Sequence, residues 1–262
     1  MPLAAFFVEV PVPNDLDDIA PPPLALTALE PLRTGVEYSA LMMSLPHLMT
    51  TPRGDGHGVL VLPGFAMDDD STTLLRGFLR MLGCDVHPWR LGWNLDHKTT
   101  GHRAINVMRE IDKLVESTAA PVSLIGWSLG GVIARDTARR IPKSVRQVIS
   151  IGSPFTGNPN ATNVKLVYEW LSGNKVDSPT AMRRFAIGPL PLPMPSTSFY
   201  SKSDGITAWQ NCVLHADERS ENVEVACGHF GLVVSPAVFK IVANRLAQPL
   251  NGWQPFNQKT SS

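Results

Sequence analysis

The sequence has no excess of either charge and no long apolar run. Lysine and arginine together number 23, aspartate and glutamate also number 23, and the formal net charge is +0. A chain without a basic surplus lacks the electrostatic attraction that nucleic-acid binding requires. No stretch reaches the roughly 20 apolar residues of a membrane span, and no basic residue precedes the short apolar N-terminus, as a secretory signal requires. We therefore expect no nucleic-acid partner, no integral membrane segment and a cytoplasmic location.

Cysteines are few, and they show none of the spacings of a zinc site. The chain has three of them: Cys84, Cys212 and Cys227. Reduced thiols are the rule inside cells, although Cys212 and Cys227 flank one late region, and a disulfide between them stays open. Three histidines lie near one loop without a Cys or carboxylate at ligand spacing: His87, His97 and His102. We expect no metal and no cofactor.

The length of 262 residues suits one α/β domain. Six prolines in residues 11–31 predict an extended leader, and a helix is expected around Leu32 to Leu48. We therefore divide the chain into a leader and N-terminal helix (1–57), a main domain (58–250) and a C-terminal tail (251–262). The sequence does not distinguish between a monomer and a homo-oligomer as the oligomeric state.

From residue 58 onward, short apolar runs alternate with helical patterns. The first four runs are VLVLP, CDVHPW, VSLIG and VRQVISIGSP. Runs of this length, rich in β-branched residues, are typical of strands buried on both faces, and alternation with helices implies parallel order. The sequence thus predicts a doubly wound α/β sheet. Residues 156–195 break the rhythm and are expected to form an insertion over the C-terminal edge of the sheet.

The sharpest motif is G-x-S-x-G at Gly126 to Gly130, centred on Ser128. It directly follows a predicted strand and directly precedes a predicted helix, which is the context of a nucleophile elbow. A serine at the tip of so tight a turn needs small neighbours two residues before and after it. The N-terminus of the following helix would also favour a developing oxyanion. Ser128 is therefore the candidate nucleophile.

A serine hydroxyl needs a base, and the base needs an orienting carboxylate. After the elbow the histidines are His215 and His229, and His229 is preferred because it follows the predicted strand NVEV. Asp204 is the preferred acid because it follows an apolar run and begins a loop. Asp217 is its main rival but lies in a polar stretch, and Asp136 lies within the helix after the elbow.

Over roughly residues 58–246, the chain resembles bacterial lipases and esterases of the α/β-hydrolase superfamily. The stretches that carry the resemblance are LPGF, GWSLGG, GSPF, YSKSDG and GHFGL, in that order. The resemblance implies the α/β-hydrolase fold, with Ser128 as nucleophile, Asp204 as acid and His229 as base. It also implies two oxyanion donors, the backbone N–H groups of Leu129 and Phe65. Ala66 is an alternative to Phe65, because this loop departs from the HGGG form.

The same fold would bring aromatic side chains to the rim of the site. The predicted substrate-binding residues are Trp127, Phe155, Phe230 and Trp93. As a further hypothesis, the insertion forms a short lid over an acyl-binding groove. It would contribute four apolar side chains: Met182, Leu190, Leu192 and Met194. A small-molecule substrate, an apolar and uncharged ester, is then expected.

The leading interpretation is an esterase or lipase-like enzyme that works through an acyl-enzyme and needs no cofactor. Thioesterase or amidase action would use the same residues. A non-catalytic binding domain of the same fold is the alternative from a different class, although such domains usually lack a triad member. Dehalogenases and epoxide hydrolases are disfavoured because they place Asp at the elbow. A dinucleotide enzyme is disfavoured because no G-x-G-x-x-G follows the first strand.

Overall fold

A computed structural model describes residues 19–256 and contains one sheet of six parallel strands. The spatial order is β2-β1-β3-β4-β5-β6, so the chain winds outward in both directions from β1. This confirms the prediction of a doubly wound α/β sheet. The strands are β1 (Gly58–Leu62), β2 (Asp85–Pro88), β3 (Val122–Trp127), β4 (Val145–Ile151), β5 (Ser196–Tyr200) and β6 (Ser220–Glu224).

Helices cover both faces of the sheet. They are α1 (Leu24–Leu48), α2 (Thr73–Met81), α3 (His97–Thr100), α4 (Ile105–Thr118), α5 (Leu129–Arg140), α6 (Lys165–Ser172), α7 (Pro179–Ile187) and α8 (Pro236–Leu246). Successive residues of β1 point to opposite faces. Val59 and Val61 therefore join one core cluster with α1, α2 and α8. Leu60 and Leu62 join a second cluster with α4 and α5. Burial on both faces explains why β1 reads as an unbroken apolar run.

The N-terminal helix differs from the prediction. Residues 24–31 were expected to be extended, yet α1 begins at Leu24, directly after three prolines, and contains Pro31 and Pro46. Proline weakens a helix by removing an N–H donor, but tertiary packing can override that cost. Here Leu41 and Leu48 are buried in the core of the main sheet. Leader residues 1–18 and tail residues 257–262 lie outside the described residues.

The three thiols are buried and free in this structure, so Cys212 and Cys227 do not pair. None of the helices described for residues 19–256 is both long enough and apolar enough to span a bilayer. Over the same residues, His, Cys, Asp and Glu side chains nowhere gather in a group of three that could hold a metal ion.

The packing of α1 yields a test of whether this helix is an integral part of the domain. Leu41 is fully buried, whereas Met43 on the same helix is 79% exposed. We expect Leu41→Ala to lower the free energy of unfolding by about 2–5 kcal/mol, because it leaves a cavity in the core. Met43→Ala should change it by less than about 0.5 kcal/mol. Urea denaturation measures both, and equal effects would show that α1 does not pack as described.

Candidate active site

The candidate residues meet at the carboxyl edge of the sheet, beside the point where the strand order reverses. The chain moves from β1 to β2 on one side and returns to β3 on the other. In doubly wound sheets this is where ligand sites form. The loops that follow β1, β3, β5 and β6 carry Phe65, Ser128, Asp204 and His229 respectively. Residues up to 164 positions apart in sequence therefore share one site because parallel strands end at one edge.

Ser128 occupies a strained turn between β3 and α5. Its φ is 52° and its ψ is −124°, a conformation that residues with a side chain rarely adopt. The flanking glycines are needed for close approach. A Cβ on Gly126 would collide with the backbone of Gly131, and one on Gly130 would collide with the carbonyl oxygens of Leu62 and Pro63. The turn thus holds the Ser128 hydroxyl at the N-terminus of α5, where free N–H groups point toward it.

A continuous line of hydrogen bonds joins the three polar side chains. His229 Nε2 lies 3.0 Å from Ser128 Oγ, and His229 Nδ1 lies 2.6 Å from Asp204 Oδ2. The other carboxylate oxygen of Asp204 accepts the backbone N–H groups of Ile206, at 2.8 Å, and Thr207, at 2.9 Å. Asp204 is thereby fixed by its own loop, and it in turn fixes the plane of the imidazole. The geometry can pass a proton from Ser128 to His229.

The surroundings of His229 favour its protonated form. Burial of the ring opposes the charge, but the Asp204 carboxylate, through its charge and its hydrogen bond, and the Glu30 carboxylate raise the pKa of His229 above its ordinary value. His229 is only 2% exposed, so these charges act with little screening by water. An imidazole of raised pKa is a stronger base toward a hydroxyl proton.

The loop after β1 is held close to Ser128 by Asn94, which is fully buried. Asn94 Nδ2 donates to the carbonyl of Pro63 at 2.8 Å, and its backbone N–H donates to the carbonyl of Met67 at 2.8 Å. Its own carbonyl accepts the N–H of Ala66 at 2.8 Å. Since the Ala66 N–H is engaged there, the geometry favours Phe65 over Ala66 as an oxyanion donor. Sequence reasoning placed Asn94 in a loop at the rim of the site but did not predict these contacts, because its partners lie about 30 residues earlier.

Ser128 opens into a cavity of about 110 Å³. Half of the lining residues fall within 156–195, the segment predicted to be an insertion. The lining residues are Phe65, Ser128, Leu129, Val132, Pro154, Pro159, Thr162, Val164, Tyr168, Val176, Ala181, Arg184, Phe185, Ile206, Thr207 and Asn211. Apolar side chains predominate among them, as is usual for a small-molecule site.

The four aromatic residues predicted to bind substrate are absent from this lining. Trp127 and Phe230 pack beside the His229 ring, at centroid distances of 5.8 and 5.7 Å. Phe155 is buried under the guanidinium of Arg135, and Trp93 is 62% exposed. Trp127 donates its indole N–H to the carbonyl of His229 at 3.3 Å and so supports the loop that carries His229. Trp127 and Phe230 therefore pack around the site, and none of the four residues belongs to the cavity lining.

The apolar residues expected from the insertion also lie elsewhere. Leu192 and Met194 are buried in the core against α4 and α5, because this segment leads the chain back into β5. Met182 and Leu190 are about half exposed. The expected acyl groove is therefore not formed by these four side chains.

Helices α6 and α7, together called the cap helices, are anchored by a buried carboxylate that sequence reasoning also missed. Asp96 is 2% exposed and accepts the Tyr168 hydroxyl at 2.5 Å and the Arg184 guanidinium at 3.0 and 3.2 Å. Burial opposes the charge of Arg184, but Asp96 raises the pKa of Arg184, so the guanidinium stays charged. The Tyr168 ring packs on Phe65 at 4.9 Å. The cap helices are thus connected to the loop after β1.

A second Ser-His-Asp arrangement lies near the opposite end of the sheet. His57 Nε2 lies 2.7 Å from Ser123 Oγ, and His57 Nδ1 contacts Asp55. Ser123 lies within β3 and is fully buried, so no substrate can reach its hydroxyl. Burial, opposed by the nearby Asp55, lowers the pKa of His57, the reverse of the shift at His229. We interpret this group as a structural network.

Neither a protein-family model nor a curated protein sequence matches this chain. Solved structures match it in fold. Monoacylglycerol lipase of Paleococcus ferrophilus superposes with a TM-score of 0.55 at 13% identity, over 75% of this chain and 96% of the lipase. A Bacillus licheniformis lipase in its mature form gives 0.53 at 12% identity, over 75% and 94%. Aspergillus fumigatus lipase B gives 0.53 at 17% identity, over 76% and 55%. At these identities the likeness concerns the fold.

The Asp96 cluster yields a test of how the cap helices are held. Asp96→Asn keeps the shape but leaves the Arg184 charge without its counterion. We expect faster amide hydrogen exchange in residues 165–187 and a free energy of unfolding lower by about 1–3 kcal/mol. Glu110→Gln, which removes the surface ion pair with Lys113, is the control and should change neither. An unchanged rate of amide hydrogen exchange in the cap helices of Asp96→Asn would disprove the anchoring role of Asp96.

Proposed function

We propose that this chain, which has the α/β-hydrolase fold, is a serine hydrolase that cleaves carboxylic esters. The observation that carries the proposal is the hydrogen-bonded line from Asp204 through His229 to Ser128, which ends in an apolar cavity. The strained turn at Ser128 and the N-terminus of α5 support it, because both belong to a nucleophile that meets a developing anion.

In the proposed reaction, Ser128 Oγ attacks the ester carbonyl while His229 Nε2 takes the hydroxyl proton. The carbonyl oxygen becomes an oxyanion, which the backbone N–H groups of Leu129 and Phe65 would stabilise. His229 then gives its proton to the leaving alcohol, and an acyl-enzyme remains on Ser128. A water molecule repeats the sequence, again with His229 as base, and the carboxylic acid leaves. Throughout, Asp204 orients the imidazole and stabilises its cation.

The cavity supports an uncharged, apolar acyl group as the substrate portion. Arg184 is the only charged residue among the lining residues, and its charge is balanced by an ion pair with Asp96, which is not part of the lining. A carboxylate or phosphate on the substrate would therefore lack an unpaired cation in that lining. The proteins that share the fold include lipases, whose names indicate that they act on lipid esters. This agrees with the proposed substrate class.

A fluorophosphonate probe tests the nucleophile, because it reacts covalently with an activated serine. We expect a single adduct at Ser128, found by peptide mass mapping, and no adduct on Ser128→Ala. Ser123→Ala is the matched control, since Ser123 also contacts a histidine but is fully buried, and this variant should be labelled like the natural protein.

No adduct on the folded natural protein would favour a non-catalytic binding domain, and an adduct at Ser123 would mean that the wrong serine had been identified. After labelling at Ser128, matched p-nitrophenyl ester, thioester and anilide substrates separate esterase from thioesterase and amidase action. The proposal requires the ester to be cleaved with the highest kcat/KM.

The electrostatics of His229 predict the pH dependence. His229 must be neutral to accept the Ser128 proton, and its pKa is raised above the ordinary value of 6.5. The acid limb of kcat/KM should therefore have its midpoint above pH 6.5, with activity lost as the pH falls through that midpoint. Asp204→Asn should move the midpoint to lower pH and reduce kcat about 10³- to 10⁴-fold. A natural enzyme whose acid limb lay below pH 6.5 would contradict this account.

A further inference from the structure

A buried carboxylate of the N-terminal helix reaches both loops that carry the acid and the base. Glu30, in the second turn of α1, is 1% exposed. Its Oε1 accepts the backbone N–H of His229 at 2.8 Å and that of Gly205 at 2.9 Å. Its Oε2 accepts the N–H of Phe230 at 3.2 Å. All three partners are donors, which suits a group that can only accept hydrogen bonds when ionised.

Two glycines allow this approach. A Cβ on Gly228, the residue before the base, would lie 2.5 Å from the Glu30 carboxylate. A Cβ on Gly205, the residue after the acid, would lie 2.6 Å from the backbone of Leu26 in α1. An Asp-Gly pair such as Asp204-Gly205 is typical of a turn. In the structure the φ of Gly205 lies outside the left-handed range, so close packing of α1 explains the glycine.

Neighbouring side chains of α1 hold the same acid-bearing loop. Thr27 Oγ1 donates to the carbonyl of Gly205 at 2.5 Å, and Arg33 Nη1 donates to the carbonyl of Ser203 at 2.6 Å. Together with Glu30, one face of α1 therefore binds the backbone on both sides of Asp204. Of these three side chains, Glu30 is the one that also hydrogen-bonds the loop of His229, so through it α1 connects the two loops.

We propose that Glu30 is a positioning residue of the active site, whose carboxylate fixes the loop of His229 against the loop of Asp204. The inference rests on the proposed function, because it assigns a role in that same reaction. Glu30 touches neither substrate nor the reacting atoms. It acts by setting where the imidazole of His229 stands between Asp204 and Ser128, and by placing a second negative charge next to the imidazole.

The charge gives the role a signature that mere structural support would lack. Two carboxylates contact His229: Asp204 hydrogen-bonds Nδ1 of the imidazole, and Glu30 accepts the backbone N–H. Both raise the pKa of His229 against the opposing effect of burial. The other charged groups on this side of α1 are directed elsewhere. Arg33 binds the Ser203 carbonyl, and Glu37 lies two turns further along the helix, beside Gly231.

The test compares Glu30→Gln with the natural protein and with Glu37→Gln, a control of the same chemistry on the same helix. Glutamine keeps the size of the side chain and one acceptor oxygen, but it loses the charge and presents N–H groups to a donor. We expect Glu30→Gln to lower kcat roughly 10- to 100-fold on p-nitrophenyl esters, with KM within about twofold. The acid limb of kcat/KM should move to lower pH, whereas Glu37→Gln should match the natural enzyme in both.

Glu30→Asp separates the effect of the negative charge from the effect of side-chain length. It keeps the negative charge but is one methylene shorter, so we expect a lower kcat with an acid limb nearer to that of the natural enzyme than the limb of Glu30→Gln. Glu30→Asp also serves as the test variant should Glu30→Gln fail to fold. A kcat equal to the natural value in a folded Glu30→Asp would overturn the proposal that the carboxylate must contact both loops.

Two outcomes with Glu30→Gln would overturn the proposal. One is a kcat and an acid limb equal to those of the natural enzyme. The other is a lower kcat with an unmoved acid limb, since a loss of folded enzyme reduces the rate equally at every pH. Fluorophosphonate labelling of the natural protein keeps this result distinct from a failure of the proposed function. An unlabelled, inactive natural protein would refute the hydrolase, whereas a labelled natural protein with an unaffected Glu30→Gln refutes only the role of Glu30.

Discussion

The close approach of α5 to the strands on either side of β3 is the constraint on which the site depends. Gly126, Gly130 and Gly131 leave no room for a side chain, because each faces backbone or a buried hydroxyl group. This contact forces Ser128 into its strained backbone conformation, and that strain raises its hydroxyl above the sheet edge. This turn sets the positions of the N-terminus of α5, the loop after β1 and the cavity.

Local chemistry explains which parts of the site could be predicted from sequence. The turn at Ser128 has a compact motif, and chain order together with the strand that precedes it selected His229 over His215. The same reasoning preferred Asp204 over Asp217, and the structure brings Asp204 rather than Asp217 to the imidazole. These residues follow predictable strands, and parallel strands end at one edge, so the predicted elements were enough to bring them together.

The parts that sequence did not predict depend on contacts between distant segments. Asn94, Asp96 and Glu30 are polar residues without a motif, and each becomes important through partners that only the fold brings near. The aromatic residues predicted to bind substrate illustrate the complementary point. Trp127 precedes Ser128 and Phe230 follows His229 in sequence, but their side chains pack beside the imidazole ring and are absent from the cavity lining. Proximity along the chain does not fix the direction of a side chain.

The long sequence separation between Glu30 and its partners has a consequence for how the site assembles. Its partners Gly205 and His229 lie 175 and 199 residues later. During synthesis α1 therefore leaves the ribosome before these partners, and its buried carboxylate has none of them until residues 205–230 have followed. Contacts of such long separation form late and slow folding. A growing chain that has passed Ser128 but has not reached His229 therefore carries the strained turn without an assembled site around it.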